Sequence, residues 1–361
     1  MKNNNKIAIV SASLGIGGAE RFSSLLSFML HDLGYEVHHI LILDKIDYDF
    51  KGTIVNLGKM FAAEINIFRA LKKGKYIAKY LYENDIQFVI DNRSRPSILR
   101  ELFAINIYGN RKVVALIHSS NLEMYLTNSI FWSNFIFNKV SKLVCVSHEI
   151  ERKIKSKYNL LNTTTINNPI CILDSITQKP ANLPKEYMLF FGRLEEDVKN
   201  FSLLLNAFSK SKVYDDGIKL LLIGEGSSKD LILTTIEALQ LVDHVELLPF
   251  QKDITPYIQH AKCTLLTSYF EGFPMALIES LAAGTPVISV DCEFGPKEII
   301  QNECNGLLVK NHDDLLLAEA MQIFVKDDVL YQNCKKNAQK SVEHLSLSII
   351  SKQWQQLIET L

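Results

Sequence analysis

Short apolar runs rich in β-branched residues recur along the chain, and each is followed by a longer stretch whose apolar residues fall at helical spacing. There are ten such runs: KIAIVSA, VHHILIL, IQFVID, VVALIH and LVCVS in the first half, then YMLFFG, IKLLLIG, VELLPF, CTLLTS and PVISV in the second. A strand that is apolar at nearly every position must be covered on both faces, as in a parallel sheet held between helical layers. The chain has 361 residues, beyond the roughly 250–300 at which single cores stop growing. The pattern therefore predicts an α/β protein of two Rossmann-like, doubly wound parallel-sheet domains facing across a cleft.

Apolar periodicity lapses in residues 174–186, where Pro180 and Pro184 stand among polar residues. This segment is read as the linker between a domain at 1–173 and another at 187–340. The remainder, 341–361, holds an amphipathic helix with Ile349, Ile350, Trp354, Leu357 and Ile358 available to one face. That helix either completes the second domain or crosses back to the first.

Hydrophobic residues make up 47% and charged residues 22% of the chain, which excludes a disordered majority. Cys145, Cys171, Cys263, Cys292, Cys304 and Cys334 form no CxxC pair and several lie in apolar runs. They are expected to be buried free thiols in a reducing compartment. The brief apolar run at the N-terminus has neither the length of a membrane span nor a cleavage site, so cytoplasmic residence is expected. The net charge of −1 conceals an asymmetry: 22 Lys and Arg face 15 Asp and Glu up to residue 175, leaving 17 against 25 beyond it. The basic half suits an anionic partner, with nothing that calls for nucleic acid.

The most informative segment is SYFEGFPMALIESLAAGTPVISVD, residues 268–291. Pro274 suits the first position of a helix, leaving Met275, Ala276 and Leu277 to present unpaired backbone donors. A phosphate placed there gains hydrogen bonds and the positive end of the helix dipole. Glu271 before the helix and Glu279 in its second turn supply carboxylates for the hydroxyls of a ribose or sugar. Gly272 and Phe273 complete the approach. The plain alternative is a surface helix with two ordinary glutamates.

Residues 188–208, MLFFGRLEEDVKNFSLLLNAF, read as strand, turn and helix, with Arg193 and Lys199 on the loop. Two cations beyond the carboxyl end of a strand suit a diphosphate, or they pair with Glu195, Glu196 and Asp197. Gly224 and Gly226 end another strand and permit close backbone approach to a base or ribose. Phe250 is either a wall for the base or a core aromatic. In the first half, Gly15, Gly17 and Gly18 precede a helix in SLGIGGAERF, and Asp44 imitates a ribose carboxylate. Glu20 stands where a dinucleotide fingerprint needs its third glycine. The loop is read as backbone closing over a diphosphate. His118, one of nine histidines, ends the strand VVALIH and is placed to face a crevice; a structural histidine is the alternative.

Together, EGFPMALIES, FGRLEEDVKN, SLGIGGAERF and DCEFGPKEII resemble the large family of retaining glycosyltransferases of GT-B fold that contains many bacterial enzymes of lipopolysaccharide, capsule and glycolipid assembly. The resemblance runs from the first strand to the last helix. It implies that the second domain holds a nucleotide-sugar donor as co-substrate, with no other cofactor. Arg193 and Lys199 would neutralise the diphosphate, Glu279 would bind the ribose, and Glu271 with the backbone after Gly272 would bind the transferred sugar. Gly17 and Gly18 would approach the phosphates from the acceptor domain, and His118 would sit by the reacting carbon. Lys199 follows Arg193 by six residues, whereas many members have five. A UDP-linked hexose or N-acetylhexosamine and a glycan or polyprenyl-linked acceptor are the implied substrates.

Two fixed cations and a helix start can stabilise a departing diphosphate without a metal, so metal independence is expected. The DxD pattern Asp47-Tyr48-Asp49 lies in a polar loop and is read as chance. Residues 65–82 carry Arg69, Lys72, Lys73, Lys75 and Lys79 among Ile65, Phe68, Leu71 and Ile77 without an acid. They read either as a basic face resting on anionic membrane or as solubilising charge. The competing functions are a Rossmann oxidoreductase, a sugar-nucleotide-binding protein without catalysis and, more distantly, a glycan phosphorylase.

Overall fold

The computed structural model describes residues 5–63, 66–95, 97–172 and 175–361. Ile65 of the basic segment and Asp174 of the expected linker lie outside the described residues. The chain divides into two units, Met1–Pro169 with Leu347–Leu361, and Ile170–Ser346.

Among the described residues, the N-terminal unit has the strands β1 (Lys6–Ser11), β2 (Glu36–Leu41), β3 (Thr53–Asn56), β4 (Phe88–Asp91), β5 (Lys112–Ile117), β6 (Lys142–Cys145) and β7 (Thr163–Thr165). They are parallel, in the order β3-β2-β1-β4-β5-β6-β7. The helices are α1 (Gly18–Asp32), α2 (Leu57–Met60), α3 (Asn66–Glu83), α4 (Ile98–Tyr108), α5 (Ile130–Phe137) and α6 (His148–Tyr158). Alternate residues of β1 serve opposite cores. Ile7 and Ile9 pack with Phe22 and Leu26 of α1, whereas Ala8 and Val10 pack with Ile77 and Leu81 of α3 and Ala104 of α4. Helices α3 and α4, α4 and α5, and α5 and α6 are neighbours in turn. Gly74 permits the first of these approaches, since a side chain there would run into Phe103 and Ile107.

One basic residue of α3 departs from the solvated face expected for it. Lys73 shares the helical phase of Ile77 and Leu81, so it is buried, and its Nζ donates to the Ile42 carbonyl at 2.5 Å. Burial and the nearby Arg69 charge lower its pKa. The cationic surface of α3 is therefore Arg69, Lys72, Lys75 and Lys79.

The C-terminal unit has β8 (Glu186–Phe191), β9 (Ile218–Ile223), β10 (Val245–Leu248), β11 (Cys263–Leu266), β12 (Val287–Asp291) and β13 (Gly306–Lys310). These are also parallel, ordered β10-β9-β8-β11-β12-β13. Its helices are α7 (Glu196–Lys199), α8 (Phe201–Ser211), α9 (Lys229–Ala238), α10 (Thr255–Gln259), α11 (Met275–Ala282), α12 (Pro296–Ile299), α13 (Asp314–Lys326) and α14 (Asp328–Ser341). Met188 and Phe190 enter the larger core with Phe208 of α8 and Phe324 of α13, while Tyr187 and Leu189 enter the smaller one with Ile258. All ten apolar runs form strands. The edge strands β3, β7 and β13 are additional to them.

Two boundaries differ from those read in the sequence. The first unit ends at Pro169 rather than 173, and residues 175–186 are tied into the second unit instead of linking freely. There Gln259 Oε1 accepts from both Thr177 N–H and Oγ1 at 2.7 Å, and His260 Nε2 bonds the Thr177 carbonyl at 2.8 Å. At the other end, α15 (Leu347–Thr360) belongs to the N-terminal unit, beside α1. Ile350, Trp354 and Leu357 are buried there, and the Trp354 ring lies 6.2 Å from Phe22. Ile349 falls off that face and is 40% exposed.

Candidate active site

In the C-terminal sheet the strand order reverses between β8 and β11: β8 leads to β9 and β10 on one side, β11 to β12 and β13 on the other. Loops leaving the two central strands diverge and open a crevice at their carboxyl ends. Arg193 stands on the loop after β8, Lys199 ends the short helix α7 that follows it, and Glu271 stands on the loop after β11.

The sequence shapes the first loop tightly. Asn200 adopts φ 54°, a left-handed conformation that asparagine tolerates. Its N–H donates to the Glu196 carbonyl at 2.9 Å, closing α7, while its Oδ1 accepts from the Leu203 amide at 3.1 Å, opening α8. The Glu196 carboxylate accepts from Phe201 N–H at 2.7 Å and from Ser202 N–H at 3.3 Å. It thus caps α8 and leaves the cations to other partners.

Lys199 finds its partner across the crevice. Its Nζ lies 2.6 Å from Glu271 Oε1, with the two side chains 16% and 14% exposed. Ser268 Oγ donates to the same oxygen at 2.7 Å. Backbone bonds fix the approach, since Tyr269 N–H donates to the Val198 carbonyl at 2.9 Å and Thr267 Oγ1 to the Lys199 carbonyl at 2.8 Å. An ammonium has three donors, so Glu271 orients Lys199 without exhausting it. Arg193 is less constrained: its side chain is 49% exposed and lies 3.6 Å from Glu195 Oε2. Such solvent-facing pairs contribute little to stability.

Helix α11 begins one residue later than expected, with Pro274 as N-cap rather than first helical residue. The Leu277 amide is not an unpaired donor, because it bonds the Pro274 carbonyl at 3.2 Å. Among the described residues the Met275 and Ala276 amides have no protein acceptor. Met275, Leu277 and Ile278 are buried while Ala276 and Glu279, three residues apart, face outward in part. Phe273 is buried at 5% exposure, so its backbone rather than its ring is what it offers.

Several contributors were not singled out in the sequence. Ser268 and Thr267 are polar residues whose role depends on contacts with a distant loop. Behind Gly272 and Pro274 lies Gly295 at φ 95°, where a side chain would strike the Pro274 ring and the Gly272 carbonyl. Phe294 before it holds φ 63°, and Glu293 accepts from the Glu271 amide at 3.2 Å. The Gly-Pro pair at 295–296 was the available signal. Burial, Glu271 and other neighbours raise the Cys292 pKa despite Lys199, keeping the thiol protonated.

The glycines after β9 serve a neighbour of their own. A Cβ on Gly224 would strike the Gly192 carbonyl and one on Gly226 the Leu194 backbone. They admit the close approach of the loop carrying Arg193. Phe250 is half-buried beyond β10 and belongs to neither core cluster of the unit.

In the N-terminal unit His118 directly follows β5 and is half-buried. Its ring stands 5.0 Å from Phe22, edge to face. Asn92 Nδ2 donates to the Ala19 carbonyl at 2.9 Å, which turns Asn92 Oδ1 toward His118 Nε2 at 2.5 Å. This network assigns the imidazole proton to Nε2 and leaves Nδ1 as an acceptor. Burial and the Arg95 charge push the His118 pKa down to about 3. Gly17 caps α1, which starts at Gly18, and the Glu20 carboxylate occupies the space where a Gly17 side chain would stand. Asp47 lies 3.7 Å from Lys45, and Asp49 accepts from Ser24 through its carbonyl. Among the described residues no three His, Cys, Asp or Glu side chains group as a metal site.

Residues 174–341 match the family described as glycosyl transferases group 1. The chain is also 31% identical, over 95% of its length and 97% of the relative's, to the N-acetylgalactosamine-N,N'-diacetylbacillosaminyl-diphospho-undecaprenol 4-alpha-N-acetylgalactosaminyltransferase of Campylobacter jejuni. The chain belongs to the group 1 glycosyl transferases. This glycosyltransferase has the two-domain Rossmann-like GT-B fold. Among solved structures it resembles the pneumococcal O-GlcNAc transferase GtfA in complex with UDP and GlcNAc, at TM-score 0.79 and 14% identity over 99% of each chain. It also resembles Anabaena HepE in complex with UDP-glucose, at TM-score 0.77 and 18% identity over 99% of this glycosyltransferase and 100% of that chain.

Proposed function

We propose that the enzyme is a retaining glycosyltransferase that moves a hexose or N-acetylhexosamine from a UDP-linked donor to a lipid-linked glycan of the bacterial surface. The observation that carries the donor site is the Lys199–Glu271 pair at the switch point of the second sheet, on the loops that lead into α8 and α11. Lys199 keeps two N–H donors for the diphosphate, Arg193 adds a mobile cation, and the Met275 and Ala276 amides add the helix dipole. Glu271 has an oxygen, Oε2, that neither Lys199 nor Ser268 engages, and we assign it to a hydroxyl of the transferred sugar. Glu279 is assigned to the ribose. Gly224 and Phe250 are assigned to the nucleoside side.

In the reaction, the bond from the anomeric carbon to the diphosphate breaks as the acceptor oxygen bonds that carbon on the same face. The acceptor proton passes to the departing diphosphate, so no side chain needs to act as base. The protein stabilises the charge growing on the leaving group. Because Lys199, Arg193 and the helix start supply that stabilisation, turnover is proposed to be independent of metal.

UDP is favoured by the two structural neighbours, whose complexes hold UDP with GlcNAc and UDP-glucose. A lipid-linked acceptor is favoured by the Campylobacter jejuni relative, which is named for an undecaprenol diphosphate substrate. Among the described residues no helix is long and apolar enough to cross a membrane. We place the enzyme in the cytoplasm, resting on the membrane's inner face through the Lys72, Lys75 and Lys79 side of α3.

A thermal-shift panel of UDP-, GDP-, ADP- and dTDP-sugars tests the donor, because a ligand of the folded state alone raises stability with the logarithm of its concentration over its Kd. A UDP-sugar is expected to give the largest shift, and transfer from it is expected to survive EDTA. A shift from GDP-sugars only, or turnover lost to EDTA and restored by Mg²⁺, defeats the corresponding part of the reading.

A further inference from the structure

Among the described residues, every exposed large aromatic side chain belongs to the N-terminal unit: Phe68 and Tyr82 on α3, and Phe131, Trp132 and Phe135 on α5. Helix α5 is the extreme case. Its sequence IFWSNFIF buries Ser133, Ile136 and Phe137 and leaves Ile130, Phe131, Trp132 and Phe135 at 50%, 70%, 36% and 45% exposure. A surface helix ordinarily turns polar residues outward. Here the outward rings touch one another, with Phe131 5.4 Å from Trp132 and Trp132 5.9 Å from Phe135. Contiguous apolar surface of this kind marks an interaction site.

The neighbouring helices extend it. In a parallel sheet each crossover helix starts at the carboxyl edge of the strands, so the first turns of α3, α4 and α5 lie along one edge. They bring Phe68, Leu71 and Leu99, at 60%, 47% and 79% exposure, to the side that holds Ile130, Phe131 and Trp132. Cations are interleaved with them. Lys72, Lys75 and Lys79 fall at three- and four-residue steps along the stripe of Phe68, Leu71 and Tyr82, Arg100 adjoins Leu99, and the Lys139 ammonium lies 4.1 Å from the Phe135 ring centroid. The exposed acids of these helices and the turn before α5 are Glu83 and Glu123.

Rings and aliphatic chains interleaved with lysines match the boundary layer of an anionic bilayer, where Trp sits at headgroup depth and Lys reaches the phosphates. A second copy of the chain would bring the same cations against these and be repelled. We infer that α5, with the first turns of α3 and α4, inserts its side chains into the interfacial layer of an anionic membrane. The carboxyl edge of the N-terminal sheet, where His118 lies, is thereby held at the bilayer surface. This deepens the lipid-linked acceptor of the proposed function and rests on that reading for its purpose; its test requires no acceptor.

The chain has two tryptophans, and Trp354 is fully buried, so fluorescence changes at a membrane report Trp132. Full-length protein is mixed with phosphatidylglycerol–phosphatidylcholine vesicles, with and without acyl-brominated lipid. The expected result is a blue shift and bromine quenching that vanish in Trp132→Phe. A Phe131→Ser, Phe135→Ser double variant should lose about tenfold or more in partition coefficient, in high salt as well as low, because its contribution is apolar. Lys72→Glu with Lys75→Glu should weaken binding chiefly at low salt. Donor-induced thermal shifts and transfer to a water-soluble acceptor should be unchanged in the phenylalanine variant, so failure here and failure of the transferase reading can be told apart. Vesicle binding without quenching of Trp132 would overturn the inference, as would no vesicle binding accompanied by a concentration-dependent dimer that shields Trp132.

Discussion

The two units share one plan, a parallel sheet with its working loops at the carboxyl edge, and differ in how those loops are held. In the C-terminal unit the loops after β8 and β11 are joined by the Lys199–Glu271 pair and by bonds from Tyr269 and Thr267. In the N-terminal unit His118 is positioned by Asn92 on one side and on the other by Phe22, which Trp354 backs. The first arrangement fixes charge at the switch point of the sheet, where the proposed function has a diphosphate bind. The second keeps a neutral ring fixed and leaves the surrounding surface apolar and basic. A chain assembled from two copies of one architecture can thus divide its work between electrostatic recognition and surface attachment.

The largest expected effect tests the electrostatic half. Lys199→Ala should lower turnover by about a hundredfold or more, the scale seen when one preorganised donor to a developing anion is removed. Arg193→Ala should cost less, about tenfold, because its partly exposed guanidinium is less preorganised. Steady-state kinetics with the preferred donor, alongside melting curves showing an intact fold, measure both. Equal losses, or a larger one at Arg193, would mean that the constrained pair is structural and the exposed arginine does the work.

How far this contrast could be read in advance depended on distance along the chain. The apolar runs disclosed ten strands, nine of them interior, because interior parallel strands are apolar on both faces. The edge strands β3 and β7 escaped, since TIVN and TTT are short and only partly buried. Arg193, Lys199, Glu271 and the start of α11 were legible as local motifs. Their relation was not: Lys199 and Glu271 are 72 positions apart, and nothing local says that one binds the other. Lys73 shows the converse error, because a charge count ignores the helical phase that turns it inward. The aromatic surface of α5 escaped for a related reason, since an apolar octapeptide reads as core until its neighbours are known.

The next test concerns support from behind. Trp354→Ala removes a fully buried indole from between α15 and α1 and should cost about 3–5 kcal/mol. If the units are energetically distinct, scanning calorimetry should show the N-terminal transition falling while a UDP-sugar still raises the other one. Donor-induced stabilisation lost along with Trp354 would show that the two units are energetically coupled.

The smallest effect is one of pH, and it too is assigned to the N-terminal unit. Glu101 is 4% exposed, with Arg93 Nη2 3.8 Å away and Asp91 nearby. Burial raises its pKa to about 7, with Asp91 adding to the rise and Arg93 and Arg95 opposing it. The folded state therefore holds this proton more tightly than the unfolded chain. Its contribution is fully present below the unfolded value of 4.5 and is lost as pH rises through 7. His39 has the opposite sign: burial lowers its pKa to about 4 from 6.5, so its contribution is present above 6.5 and lost as pH falls through 4. Glu101→Gln should abolish the loss on the rising side, worth up to about 3 kcal/mol at 1.36 kcal/mol per pKa unit. The measurement is the N-terminal melting transition from pH 5 to 8, in wild type and variant. Parallel curves would show that Glu101 is ionised in the folded protein, and the N-terminal unit would then hold its charges much as the Lys199–Glu271 pair is held.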